Sequence, residues 1–166
     1  TLNYAASLGS VVVEVSNNVV DYSTSLIPIQ YVAMWSVSSL LPTSGPYTGG
    51  TTVTVFGANF VASPNLYCKF GTFAPVTALF DTSTVVLCNA PSVPTPQVLP
   101  LEVSINGLDY SSSAIDFSYL TTIAVISAVP DSSPDIGSVS ITIAGANFLN
   151  TASLTCRFGP IPTVAL

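Results

Sequence analysis

The chain reads as an all-β protein built from antiparallel two-sheet sandwich modules, and three observations predict it. Apolar and polar residues alternate with a period of two in segment after segment, and nowhere is a 3.6-residue period sustained. Clusters rich in Pro and Gly, such as PTSGPYTGG (42–50) and APSVPTPQ (90–97), fall between those segments. The whole pattern also repeats at an offset of 88 residues. Gly57-Ala58-Asn59-Phe60 returns as Gly145-Ala146-Asn147-Phe148, and Cys68-Lys69-Phe70-Gly71 returns as Cys156-Arg157-Phe158-Gly159. The same offset carries Glu14 to Glu102, Asp21 to Asp109, Tyr22 to Tyr110, Tyr31 to Tyr119 and Pro42 to Pro130. Ungapped self-similarity of this kind is the mark of tandem modules. Its phase divides the chain into the C-terminal half of one module (1–34), a complete module (35–122) and the N-terminal half of a third (123–166).

Within the complete module, strands are expected near 35–40, 51–57, 65–70, 74–79, 83–89, 98–105 and 113–120. In TTVTVFG, Val53 and Val55 face one way and Thr52 and Thr54 the other; Val139, Ile141 and Ile143 repeat this one period later. Leu66, Cys68 and Phe70 share a face opposite Tyr67 and Lys69, as do Leu154, Cys156 and Phe158. Val85-Val86-Leu87 is apolar on both faces, which points to burial beyond one sandwich core. Leu101, Val103 and Ile105 line one side, with Glu102 and Ser104 on the other. Asn106-Gly107 then supplies the positive backbone dihedrals of a tight hairpin turn, with Asn17-Asn18 as a weaker equivalent. About seven short strands per unit, punctuated at regular intervals, specify an immunoglobulin-like antiparallel β-sandwich with a period of 88 residues.

Composition removes several classes of function. Lys69 and Arg157 are the only basic residues, His is absent, and eight carboxylates bring the net charge to −6. Nucleic acid is excluded as a partner because phosphate neutralisation needs clustered Lys and Arg, and anionic membrane surfaces are disfavoured on the same ground. Charged residues make up 6% of the chain, against roughly a quarter in ordinary soluble domains. Ser and Thr, roughly a quarter of the sequence, take over the hydration of the surface. The mean hydropathy of +0.65 does not signal a membrane span. Apolar runs such as LIPIQYVAMW (26–35) fall well short of the about 20 residues needed to cross a bilayer. No basic n-region opens the sequence at Thr1, so the expected context is the interior of a longer protein. Such a surface is expected to be buried against neighbours, coated by sugar, or both.

The ordered set P-x-x-G-P (42–46), GGTTVTVFGANF (49–60), CKFG (68–71), VLCNAP (86–91), VSING (103–107) and FSY (117–119) resembles an IPT/TIG domain. The resemblance covers 35–122, and the flanking segments resemble the second and first halves of the family's pattern. It implies a β-sandwich used in extracellular arrays or as a spacer, and it implies no catalytic residues. Members that bind DNA use basic loops, which this sequence lacks. The resemblance also implies that Cys68 and Cys88 pair. A twenty-residue closed loop is worth about 3 kcal/mol by chain entropy, useful to a unit of about 88 residues with little core to spare. The alternative is two buried thiols in a reducing compartment. At the same offset, the partner of Cys156 falls ten residues beyond Leu166.

No catalytic constellation is legible. There is no His, no Gly-x-Ser-x-Gly elbow, no P-loop and no metal-ligand spacing, so neither an enzyme nor a cofactor is expected. Asp131 and Asp135 flank a short loop and read as turn residues rather than calcium ligands. No Asn is followed at the second position by Ser or Thr, so N-linked sugar is not expected, and the GANF strings are assigned to a backbone bend. O-linked sugar has candidates where hydroxyls sit beside prolines or in loops: Thr43, Ser44, Ser92, Thr95, Ser111, Ser112, Ser113, Ser132 and Ser133. The junctions between modules are short and apolar, which favours packed joints over free tethers.

The function expected is a structural building block of an extracellular or cell-surface fibre or stalk. Its partners are copies of itself or adjacent modules, with covalent glycans and no transmembrane segment. The alternative is the spacer or adhesion region of a receptor ectodomain. An accessory domain beside a polysaccharide-acting enzyme is a third reading.

Overall fold

A computed structural model of the 166-residue chain describes residues 8–134, 139–151 and 154–164. Among these residues the chain forms fourteen strands and no helix. A hairpin of β1 (Gly9–Val13) and β2 (Ile27–Tyr31) comes first. The next eight are β3 (Ser36–Leu41), β4 (Ser44–Pro46), β5 (Thr52–Ala58), β6 (Tyr67–Phe70), β7 (Val76–Thr82), β8 (Val85–Asn89), β9 (Gln97–Ser104) and β10 (Ile115–Leu120). Two further hairpins follow, β11 (Ala124–Val129) with β12 (Thr142–Ala146), and β13 (Thr155–Phe158) with β14 (Ile161–Val164).

The eight central strands hydrogen-bond in the order β3-β5-β8-β7-β6-β9-β10-β4. Strand β7 belongs to both layers: Val76 and Thr77 pair with β6, whereas Ala78 onward pairs with β8. The sheet thus folds over at β7 into β3-β5-β8 facing β6-β9-β10-β4, the sandwich that the alternation specifies. Its interior holds the residues assigned to the inner faces. Val53, Val55, Leu66, Cys68, Phe70, Leu101, Val103, Ile105 and Val86 are all buried. Phe70, Phe117 and Tyr119 meet edge to face at its centre, with centroids 5.0–6.0 Å apart. Such pairs add about 0.5–1.5 kcal/mol each beyond area burial. Trp35 closes one end, its Nε1–H donating to the Val103 carbonyl at 2.8 Å. The apolar run Val85-Val86-Leu87 lies in a central strand, with Val86 buried and its neighbours half-buried.

Three local expectations need correction. Strand β4 was not anticipated. It pairs parallel with β10, placing Ser44 beside Ser118 and Pro46 beside Leu120. Second, Asn106-Gly107 is not a two-residue hairpin turn. Only Gly107 has positive φ (+75°), and the Asn106 side-chain oxygen accepts from the N–H groups of Leu108 and Asp109. That Asx-type arrangement opens a loop running from Ile105 to Ala114 between β9 and β10. Its counterpart 88 residues earlier is Asn18-Val19, not Asn17-Asn18: Asn18 accepts from Val20 and Asp21, and Val19 takes φ +67°. Third, Ser104 does not face solvent. The loop folds over it, and its hydroxyl accepts the Gly107 N–H at 2.8 Å.

The GANF strings divide their labour. Asn59 carries the bend, at φ +61°, and donates through Nδ2 to the Met34 carbonyl at 2.8 Å. Gly57 is needed for close approach instead, because a Cβ there would overlap the Ser36 carbonyl and the Phe60 ring. Asn147 and Gly145 reproduce both roles against Thr122, Ala124 and Phe148.

The outer hairpins have the registers of the central strands displaced by 88 residues. Gly9↔Tyr31 through Val13↔Ile27 matches Gln97↔Tyr119 through Leu101↔Ile115. Ala124↔Ala146 through Val129↔Thr142 matches Ser36↔Ala58 through Leu41↔Thr54, including a bulge at the same place.

Candidate interaction surface

No group of three or more His, Cys, Asp or Glu is arranged to hold a metal among the described residues. No helix of the described residues is long and apolar enough to cross a membrane. A shallow groove lies between 32–35 and the β9–β10 loop, lined by Val32, Met34, Trp35, Leu108, Asp109 and Tyr110. It offers one carboxylate, Asp109, and one phenol, Tyr110.

Cys68 on β6 and Cys88 on β8 form a disulfide joining the two layers, with Cα atoms 6.1 Å apart. The open alternative of two separate thiols is thereby closed. Cys156 is half-buried on β13. The hydroxyl residues separate by accessibility. Thr43, Ser92, Thr95, Ser112, Ser132 and Ser133 are exposed, and Ser44 is half-buried. Ser113 is half-buried and accepts the Val37 N–H at 3.0 Å. Ser111 must be withdrawn as a glycan candidate. It is buried, its hydroxyl accepting the Val103 N–H at 3.0 Å beneath the β9–β10 loop. Asp131 is exposed beside Ser132, and Asp135 lies outside the described residues.

The distinctive surface is apolar and belongs to the outer hairpins. Positions that are core in the central sandwich are uncovered 88 residues away. Phe70 is buried but Phe158 is 47% exposed; Leu101 is buried but Val13 is 41% exposed. Val103 answers to Val15 at 68%, and Val37 answers to Val125 at 64%. Fully burying a side chain of this size is worth about 1.5–3 kcal/mol.

A polar cluster that sequence reasoning missed lies on the β6–β9 seam. Lys69 and Glu102 are direct cross-strand partners and form an ion pair at 3.1 Å, both side chains partly shielded. The Lys69 ammonium also sits 4.1 Å from the centre of the Tyr110 ring. The available signal was the 88-residue repeat itself, which carries Lys69 forward to Arg157 and Glu102 and Tyr110 back to Glu14 and Tyr22.

With this geometry in view, the IPT/TIG domain family matches residues 36–119. Human Fibrocystin-L is 30% identical over 117 residues, covering 68% of this chain and 3% of that protein. A probable serine/threonine-protein kinase, drkC, from Dictyostelium discoideum is 28% identical over 117 residues, covering 67% of this chain and 16% of the kinase. The chain therefore spans only a small part of either relative. Among solved structures, the full extracellular region of Plexin A4 superposes with a TM-score of 0.56 at 24% identity, over 85% of this chain and 12% of that one. That likeness is one of fold.

Proposed function

Because the chain belongs to the IPT/TIG domain family, we propose that it is a structural building block of an extracellular fibre or stalk. In this reading, modules of about 88 residues follow head to tail: 1–34, 35–122 and 123–166 are a late half, a whole and an early half. The observation that carries it is the pair of outer hairpins. They keep the registers of the central sandwich at the 88-residue offset yet leave its core positions open. A module whose inner face is uncovered is stable only where a neighbour covers it.

Two further features support the setting. A disulfide between layers suits an oxidising compartment. A surface with few charges repels its own copies weakly. O-linked sugar on Thr43, Ser92, Thr95, Ser112, Ser132 or Ser133 would supply the missing hydration. The role assigned is non-catalytic and takes no cofactor. A spacer or adhesion region of a receptor ectodomain is the second reading, favoured by the likeness to the Plexin A4 extracellular region and to Fibrocystin-L.

Imaging of native material separates the two. A filament with an axial rise of one or two modules supports the array; isolated membrane-anchored ectodomains refute it. Intact mass before and after reduction and deglycosylation reports the disulfide and the sugar directly.

A further inference from the structure

Resting on the reading of the chain as modules in head-to-tail order, we infer that the asparagine of each GANF string is a clamp that stiffens the joint between one module and the next. The bond recurs at both joints. Asn59 donates through Nδ2 to the Met34 carbonyl at 2.8 Å, and Asn147 donates through Nδ2 to the Thr122 carbonyl at 2.9 Å. Each donor lies 25 residues beyond its acceptor. The module being entered thus reaches back and holds the segment that leads into it. The residue type points to the side chain rather than to the bend alone. Both asparagines have positive φ, +61° and +64°. Glycine takes that conformation at no steric cost, so a bend by itself would not call for Asn. Asparagine tolerates it too and adds an amide donor, which is what a carbonyl requires.

The donor is presented from a rigid base. On either side of Asn59, the Gly57 and Phe60 N–H groups donate to the Thr84 and Ser83 carbonyls, each at 2.9 Å, and the Phe60 ring is buried. The segment it holds is pinned further along as well. Trp35 donates through Nε1 to the Val103 carbonyl, and the Val37 N–H donates to the Ser113 hydroxyl. At the second joint both sides can be followed. The Leu120 carbonyl, at the end of β10, accepts the Tyr47 N–H of its own module at 2.8 Å. The Thr122 carbonyl is held by Asn147 of the module that follows. Between these two fixed carbonyls, only Thr121 and Thr122 keep backbone dihedrals free to turn. Removing the amide lengthens that swivel and moves the joint toward a flexible tether.

The test is NMR relaxation of the backbone amides in the 166-residue chain and in Asn59→Gly, Asn59→Asp, Asn147→Gly and Asn147→Asp. In the wild type, order parameters at Met34 and Thr122 should lie near ~0.85, the value of rigid backbone. Asn59→Gly should lower Met34 below ~0.6 and leave Thr122 unchanged, and Asn147→Gly should do the reverse. Each variant is therefore the other's control. Aspartate keeps the size of the side chain and its tolerance of positive φ, but its carboxylate has no N–H to donate. Both Asp variants should accordingly loosen the same joint as the Gly variants. Asn147 lies outside the central sandwich, so its variants read the joint even where an Asn59 variant unfolds. Met34 and Thr122 both mobile in the wild type, joints that stay rigid in the Gly variants, or Asp variants as rigid as wild type would each overturn the clamp. Filaments of native material with loose joints would leave the array reading standing without the clamp. Rigid joints in material that forms no filaments would leave the clamp standing without the array.

Discussion

Tyr119 sits at the centre of the sandwich with 2% of its surface exposed, and its hydroxyl has no hydrogen-bond partner among the described residues. Burial of a phenol favours its neutral form, and desolvation raises the pKa from 10.0 to about 12. Replacing Tyr119 with Phe keeps the ring stacked on Phe70 and Phe117 and deletes only the oxygen. At neutral pH the variant should match the wild type or gain about 1 kcal/mol, because a buried hydroxyl without a partner costs about 1–3 kcal/mol to desolvate. The pH dependence has a definite sign. A folded-state pKa above the unfolded one leaves stability intact below pH 10 and removes it as pH climbs toward 12. With values of 10.0 and about 12, the linkage relation gives a wild-type loss of about 1.4 kcal/mol at pH 11. Tyr119→Phe is spared that loss. Urea unfolding followed by Trp35, the single tryptophan and a core residue, measures the difference at pH 8 and pH 11. A variant less stable by more than 1 kcal/mol at pH 8, or a gap that fails to widen at pH 11, refutes the reasoning.

Other consequences follow from packing and accessibility. Cys88→Ser should cost the central sandwich about 3 kcal/mol from the lost loop closure, read as a lower urea midpoint that matches the reduced wild type. Phe70→Ala should cost about 3–5 kcal/mol by opening a cavity between Phe117 and Tyr119, detected in the same titration. Gly57→Ala should destabilise far more than Gly50→Ala. The first drives a methyl into the Ser36 carbonyl, whereas the second meets no atom and pays only for its φ of +88°. Glycopeptide mapping of native material should find sugar among Thr43, Ser92, Thr95, Ser112, Ser132 and Ser133, and none on the buried Ser111.

Strands β5, β6 and β9 were legible because each alternates apolar and polar residues on a half-buried ladder. Strand β4 was not, since Ser44-Gly45-Pro46 carries no alternation. It is held by backbone bonds at its ends, Ser118 N–H to the Thr43 carbonyl and Tyr47 N–H to the Leu120 carbonyl. Asn106-Gly107 looks the same in sequence whether it closes a hairpin or opens a loop, and only the bonds to Leu108 and Asp109 decide between them. Ser111 and Ser112 illustrate the same limit: neighbours in a serine run, one is sealed under the loop and the other is open. The Lys69–Glu102 seam was missed for a different reason. Cross-strand partners 33 positions apart become visible only when the register is known.

The parallel placement of β4 beside β10 decides how the central sandwich answers to pulling. The Val37 N–H is held by Ser113, two residues before β10 begins, while Pro46 lies opposite Leu120 at its finish. The polypeptide consequently enters at one pole and departs at the other. Tension applied through residues 36 and 120 runs along the strands rather than across them, loading the β10 ladders in shear. Their hydrogen bonds must then rupture together instead of unzipping one by one, so the sandwich resists extension along that axis.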